Sequence, residues 1–271
     1  MGLWIADETC GLLSPHADTP LCSGPLCLCA CGNTVVCAQA RQGRVFAADT
    51  GEALSSYPLP PAVRCMCSLP GALYCLSGEA DSISLLCPMT GQLRLCARAG
   101  CDPRDLSLSP CHRMLAAAGG AAGMLYIYDS HDLRLLRSLP LPGVVYAARF
   151  VGAALLALCA VEDGDIHTCL YHISARGVVS EALRTQGLPG ALLPLPDGGA
   201  MLGALGKLWR LRADGRLMQR FCCGLPARLR LYGTIVLCAD PLNGCVLRIP
   251  LNGARAETVY AGDAPADMLL L

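Results

Sequence analysis

A proline opens an apolar, strand-length segment seven times along the chain, at Pro25, Pro61, Pro103, Pro142, Pro189, Pro226 and Pro265. The intervals are 36, 42, 39, 47, 37 and 39 residues, and the step from Pro265 through both termini to Pro25 is 31, which completes the 271 residues. Units of about 39 residues, each with four strand-length pieces, predict an all-β fold. The expected architecture is a seven-bladed β-propeller with four-stranded blades, occupying 1–271 as a single domain.

Each unit repeats the same order of pieces. First strands are LCLCACG from Leu26, VRCMCSL from Val63, LSLSP from Leu106, VVYAARF from Val144, LLPLP from Leu192, RLRLY from Arg228 and DMLLL from Asp267. Second strands include TVVCAQA from Thr34, ALYCLSG from Ala72, LLALCAV from Leu155 and TIVLCAD from Thr234. Both sets are too short for helices and apolar enough to be covered on both faces. Third strands alternate and carry aromatics, as in RVFAAD from Arg44, MLYIYD from Met124 and KLWRLR from Lys207. They run into hairpin turns at Thr50-Gly51, Thr90-Gly91, Ser130-His131, Arg176-Gly177, Asp214-Gly215 and Asn252-Gly253, most with a glycine to supply positive φ. A more polar fourth strand, such as LRLLRSLP from Leu133, suits the outer edge of a blade.

The termini complete the ring. The last unit stops after DMLLL, while the chain opens with GLWIADETCG, which parallels TIVLCADPLNG from Thr234; Gly244 through the termini to Gly11 is 38 residues, one period. The last blade is therefore expected to take its innermost strand from the C-terminus and its other three from Gly2 to about Gly24. A competing register aligns WIADETCGLLS with VFAADTGEALS and makes Leu3 to about His16 the third and fourth strands. It leaves that blade one strand short and ranks second.

The units MLYIYDSHDLRLLRSLPLPG and RVFAADTGEALSSYPLP resemble the repeats of YVTN-type and PQQ-like bacterial propellers, over essentially the whole chain at the level of repeat pattern. The Trp-Asp ending of WD40 repeats is absent, and the only tryptophans are Trp4 and Trp209. The resemblance implies a seven-bladed propeller and leaves activity open, because this fold hosts lactonases, dehydrogenases and pure interaction platforms.

Composition narrows the partners. Lys plus Arg equals Asp plus Glu at 21 each, so no global field favours nucleic acid or an anionic membrane. The chain is 54% hydrophobic, yet no run reaches the ~18 to 20 apolar residues of a membrane span. The N-terminal segment MGLWIADETCG lacks a basic region and a long apolar stretch, so a cytoplasmic protein is expected. Nineteen cysteines, an odd number, then read as reduced thiols.

Those cysteines suggest a metal at first sight. Cys27, Cys29 and Cys31 share one strand face, with Cys65 and Cys67 on the neighbouring inner strand, and thiolate clusters suit soft metals. Against this, Cys37, Cys75, Cys159 and Cys238 hold matching second-strand positions where other repeats have Ala or Gly, so cysteine behaves as a small apolar filler. No CxxC pair is present, and neither a metal nor a cofactor is expected. His16, His112, His131, His167 and His172 scatter over unrelated loops and strands, and neither a GxSxG elbow nor a GxxxxGK phosphate loop occurs.

Charge sorts between faces. In a propeller the fourth-to-first and second-to-third loops emerge together. In this register they hold twelve of the 21 acids, among them Asp7, Glu8, Glu79, Asp81, Glu162, Asp163, Asp165 and Asp240. The opposite loops and the fourth strands carry arginines such as Arg94, Arg134, Arg176 and Arg216. The plainer reading, that turns are polar in any protein, stands beside this one. First strands also carry Arg64, Arg104, Arg149, Arg228 and Arg230, which either line the central channel as an anion-binding feature or pair with acids at a neighbouring blade. The candidate binding set is those eight acids with Arg64 and Arg149. The expected function is a non-enzymatic platform that holds a protein partner or a small cationic ligand on the acidic face. The alternative is a lactonase-type hydrolase with its carboxylates, such as Glu79, Glu162, Asp163 and Asp240, at the channel mouth; the matching loops offer it no histidine.

Overall fold

A computed structural model describes residues 2–271, apart from the side chain of Pro25, and all of its regular structure is β. The chain opens with β1 (Leu3–Asp7) and β2 (Gly11–Leu13), then lays down six antiparallel four-stranded sheets in sequence order. Blade one is β3 (Pro25–Cys31), β4 (Thr34–Gln39), β5 (Gln42–Ala47) and β6 (Ala53–Pro58). Blade two is β7 (Val63–Leu69), β8 (Ala72–Ser77), β9 (Ser82–Leu86) and β10 (Leu93–Arg98), and blade three is β11 (Asp105–Leu108), β12 (Met114–Ala118), β13 (Met124–Asp129) and β14 (Leu135–Pro140). Blade four is β15 (Val144–Val151), β16 (Ala154–Asp163), β17 (Asp165–Ile173) and β18 (Val179–Gln186). Blade five is β19 (Pro189–Pro194), β20 (Ala200–Ala204), β21 (Lys207–Leu211) and β22 (Leu217–Cys222). Blade six is β23 (Arg228–Tyr232), β24 (Ile235–Asp240), β25 (Cys245–Pro250) and β26 (Glu257–Ala261), and β27 (Pro265–Leu270) ends the chain.

The seventh blade joins the termini. Its sheet runs β27, β1, β2, with Trp4 opposite Leu269 and Ile5 opposite Met268, so the C-terminus supplies the innermost strand and the N-terminus the next. That is the expected closure, and these pairings exclude the register that placed Leu3 to His16 outermost. The blade departs from expectation in its fourth position, where Leu12 N donates to Cys22 O at 2.8 Å and Leu21 N to Leu12 O at 2.8 Å without a regular strand forming. Pro15 and Pro20 bracket this segment, and proline cannot donate to a ladder. Inner strands contact one another all the way round, β27 against both β23 and β3, which gives a closed ring of seven blades.

The core lies between neighbouring blades. At the closing seam Trp4, Leu12, Leu28, Val35, Phe46 and Leu269 form one buried cluster. Cys37, Cys75, Cys159 and Cys238 are all fully buried in such clusters, and every cysteine is a free thiol. Burial pushes the Cys75 and Cys238 thiols well above their ordinary value of 9.0, which keeps them neutral at physiological pH.

Two details bear on the site. The turn after β13 puts its left-handed residue at Leu133 (φ 54°), not at Ser130-His131 as expected, and Leu133 is buried against blade two. Inner strands are also bulged: register shifts fall between Pro25 and Cys27, Val63 and Cys65, Val145 and Ala147, Pro189 and Leu192, and Pro265 and Asp267. Each bulge exchanges which side chains face the channel and which face the next blade.

Candidate functional site

The residue after each marker proline stands where an inner strand enters the channel. These seven are Leu26, Ala62, Arg104, Gly143, Gly190, Ala227 and Ala266, six of them uncharged and mostly small. Small residues leave space, and Leu26, Arg104, Gly190, Ala227 and Ala266 line a cavity of about 310 Å³ at the channel mouth, on the face of the fourth-to-first and second-to-third loops. Glu8 and Tyr146 complete its lip, with Asp105, Arg149 and Arg228 deeper in the cavity. Arg104 is the single charged member of the ring; its guanidinium lies over the Tyr146 ring at 4.8 Å and donates to Asp102.

The channel is braced by two carboxylates, each two residues after a marker proline. Asp105 is 2% exposed and accepts from Arg149 Nη1, from Ala148 N at 3.3 Å and from Cys65 Sγ at 3.5 Å. Arg228 Nη1 lies 3.8 Å from the same carboxylate, and its Nη2 donates to the Arg64 carbonyl on the far side of the ring. Asp267, 1% exposed, takes a bidentate pair from Arg230 at 3.0 and 2.8 Å and also accepts from Leu28 N and Met268 N, each at 2.9 Å. Burial alone would raise the Asp267 carboxyl; the Arg230 and Arg228 charges and the Leu28 amide outweigh it and hold it below the ordinary 3.8. The first-strand arginines thus divide. Arg149, Arg228 and Arg230 pair with inner-strand acids, whereas Arg64 and Arg104 pair with the loop acid Asp102.

The eight sequence-predicted acids also divide. Asp7 and Asp240, expected on an exposed face, are fully buried. Each ends the second strand of its blade and stitches the following turn to the loop that enters the first strand. Asp7 accepts from Thr9 N (3.0 Å), Cys10 N (2.8 Å), Asp263 N (3.2 Å), Ala264 N (3.1 Å) and Tyr260 OH (3.0 Å). Asp240 accepts from Gly224 N (2.6 Å), Leu225 N (3.0 Å), Asn243 N (3.3 Å) and Asn243 Nδ2 (2.9 Å). Burial alone would raise the Asp7 carboxyl, but the bonds from Cys10 N and Tyr260 OH lead a set that holds it below 3.8. Ser77 fills the same position in blade two, bonding Pro61 O at 2.5 Å and Ala80 N at 3.0 Å.

The remaining acids face solvent to different degrees. Glu8 is exposed at the mouth, Glu79 makes an open 3.5 Å pair with Arg41, and half-buried Asp81 accepts from Asp102 N at 2.9 Å. Glu162, Asp163 and Asp165 sit together at the tip of the β16–β17 hairpin, which turns on Gly164 (φ 75°) and carries the exposed Ile166. There Arg184 lies 3.7 Å from Asp163 and Gln186 Nε2 donates to Asp165 at 3.3 Å. The face is therefore not of one sign: arginines gather at the mouth and acids stand on the loops outside it.

Sequence reasoning left Asp105, Asp267, Arg104, Arg228 and Arg230 out of the candidate set. The signal was present as position, since Asp105 and Asp267 share the second place after the proline and Arg104 is the one charge in the first place. No histidine lines the mouth cavity. Among the described residues no group of three or more His, Cys, Asp or Glu side chains has metal-binding geometry.

No protein-family profile and no curated protein sequence matches the chain. Solved structures do resemble it. Hydrazine synthase from Kuenenia stuttgartiensis matches with a TM-score of 0.78 at 14% identity, over 90% of this chain and 88% of that one. The WD40 domain of Neurospora crassa Pan2 matches at 0.68 and 11% identity over 88% and 79%. BamB from Moraxella catarrhalis matches at 0.63 and 12% identity over 98% and 90%. At these identities the likeness establishes the propeller fold, to which this chain conforms.

Proposed function

We propose that the protein is a non-enzymatic interaction platform whose partner docks on the loop face around the channel mouth, through cationic groups drawn to the exposed acids. The observation that carries this reading is the β16–β17 hairpin. Its strands of ten and nine residues are the longest in the molecule, and its tip gathers Glu162, Asp163 and Asp165 beside the exposed Ile166. A rigid sheet that lifts three carboxylates and one aliphatic side chain clear of the surface is a shape suited to protein contact. The hydrolase reading has less support, because Asp105 and Asp267, the carboxylates inside the channel, are committed to guanidinium and amide bonds. The YVTN-like or PQQ-like affiliation and a reducing, cytoplasmic location belong to the same proposal, the latter supported by the free thiols that fill the core.

The test is capture of partners from lysate with the wild type and with a variant carrying Glu79→Gln, Glu162→Gln, Asp163→Asn and Asp165→Asn. The variant is expected to lose the partners, and wild-type capture is expected to weaken as salt rises past physiological strength, where the Debye length is about 8 Å. Retention by this variant, with loss in one altered at Arg94, Arg134, Arg176 and Arg216, would assign docking to the opposite face.

A further inference from the structure

We infer that the channel-mouth cavity is a binding site for a small organic carboxylate, held at its charged end by Arg104, Arg149 and Arg228 and along its body by the small apolar wall. The inference rests on the cavity and not on the acidic loops, so it stands or falls apart from the docking proposal.

The first argument is charge. Three guanidiniums line the cavity against two carboxylates, Asp105 and Glu8, an excess of one positive charge. Asp105 is already engaged by Arg149, Ala148 N and Cys65. Glu8 is exposed at the lip, where it disfavours multiply charged anions more than a monoanion.

The second argument is unspent donors. A guanidinium offers five N–H groups. Every hydrogen bond of Arg149 runs through Nη1, and Arg228 uses only Nη2. Arg104 donates to Asp102 through Nη2 and makes no hydrogen bond through Nη1. Terminal guanidinium N–H groups left without a protein acceptor are free to take a carboxylate oxygen in charge-assisted bonds. The Tyr146 ring fixes the Arg104 plane at 4.8 Å, so the fork is held in place before a ligand arrives.

The third argument is shape. The cavity is about 310 Å³, within the range that holds small molecules. Its wall is Leu26, Ala191, Ala227 and Ala266, apolar side chains that would contact a hydrocarbon body but give inorganic phosphate nothing.

The experiment titrates the intact protein with benzoate, butanoate, the neutral isosteres benzamide and butanamide, and inorganic phosphate. It is read by calorimetry and by the arginine Nε–H resonances in nitrogen–proton correlation spectra. Benzoate is expected to saturate with a Kd of about 1 mM or tighter and to shift the Arg104 Nε–H resonance, with benzamide weaker by about tenfold or more. Arg104→Gln at the lip is expected to cost about tenfold. Should Arg149 or Arg228 variants fail to fold, Ala227→Leu and Ala266→Leu fill the cavity without touching a charge and are expected to abolish saturation. The inference is overturned if no carboxylate saturates by about 50 mM, if acid and amide bind alike, if phosphate alone binds, or if the cavity-filling variants bind as the wild type does.

Discussion

Asp7 and Asp240 on one side, and Glu162, Asp163 and Asp165 on the other, are acids of the same propeller face with opposite fates. The first two end second strands, are fully buried and accept five and four hydrogen bonds respectively. The other three lie beyond the strand ends of their neighbours, on a hairpin that outgrows the ring, and face water. A carboxylate whose lone pairs are filled by backbone amides is part of the architecture and offers a partner no free acceptor. Counting acids on loops therefore overstates the carboxylates a partner can touch, and position relative to the strand end separates the two kinds.

That contrast can be broken by mutation. The largest effect is expected from Asp267→Ala, which leaves the Leu28 amide without its acceptor and the Arg230 guanidinium without its counter-charge, held only by the Leu28 carbonyl. Removing one partner of a buried pair costs about 3–5 kcal/mol, and thermal unfolding should fall by roughly 10 °C or more in a chain of this size. Urea titration with an unchanged m-value would confirm that the native state is the one affected.

A smaller loss, about 1–3 kcal/mol, is expected from Asp7→Ala, which orphans the Asp263 and Ala264 amides at the entry to β27. The same carboxyl gives a pH signature. Its folded pKa lies below 3.8, so the stability it contributes is complete above that value and is lost as pH falls through the lower folded value. Wild-type stability should drop between about pH 4 and pH 2, and Asp7→Asn should flatten part of that drop. Denaturant midpoints measured across the window would show an unchanged slope if the carboxyl were not held low.

The smallest effect is expected at the hairpin tip. Glu162→Gln with Asp163→Asn should move stability by no more than about 0.5 kcal/mol, because both side chains are open to solvent. A loss comparable to that of Asp7→Ala would erase the distinction between the two groups of acids.

The ring itself was legible because its signal repeats. Seven prolines at near-equal spacing, second strands ending in Ala-Asp at both Asp7 and Asp240, and DMLLL standing alone at the C-terminus together specified blade number and closure. The channel was not legible in the same way. Side-chain direction in a strand follows alternation, and the bulges at Pro25/Cys27, Val63/Cys65, Val145/Ala147, Pro189/Leu192 and Pro265/Asp267 reset that count in five inner strands. Arg149 and Arg64 could therefore be named as candidates, whereas their partners Asp105 and Asp102 could be found only from the folded chain. Leu133 failed for another reason: its left-handed backbone is offset by burial against blade two, a tertiary effect invisible in the turn sequence.

Arg228 reaches from blade six to the Arg64 carbonyl of blade two and approaches Asp105 of blade three, so it runs as a chord through the ring. A wheel held only at its circumference can part at one seam while the rest stays shut, and the seam between β27 and β1, where the two chain ends pair, is where such parting would begin. A crossbar changes the mechanics, since ovalising the wheel stretches the bar wherever the strain is applied. Fluctuations that would open one blade at a time are then tied to the whole circumference, and the innermost amides, from Leu28 to Ala148, should exchange with solvent as one cooperative unit.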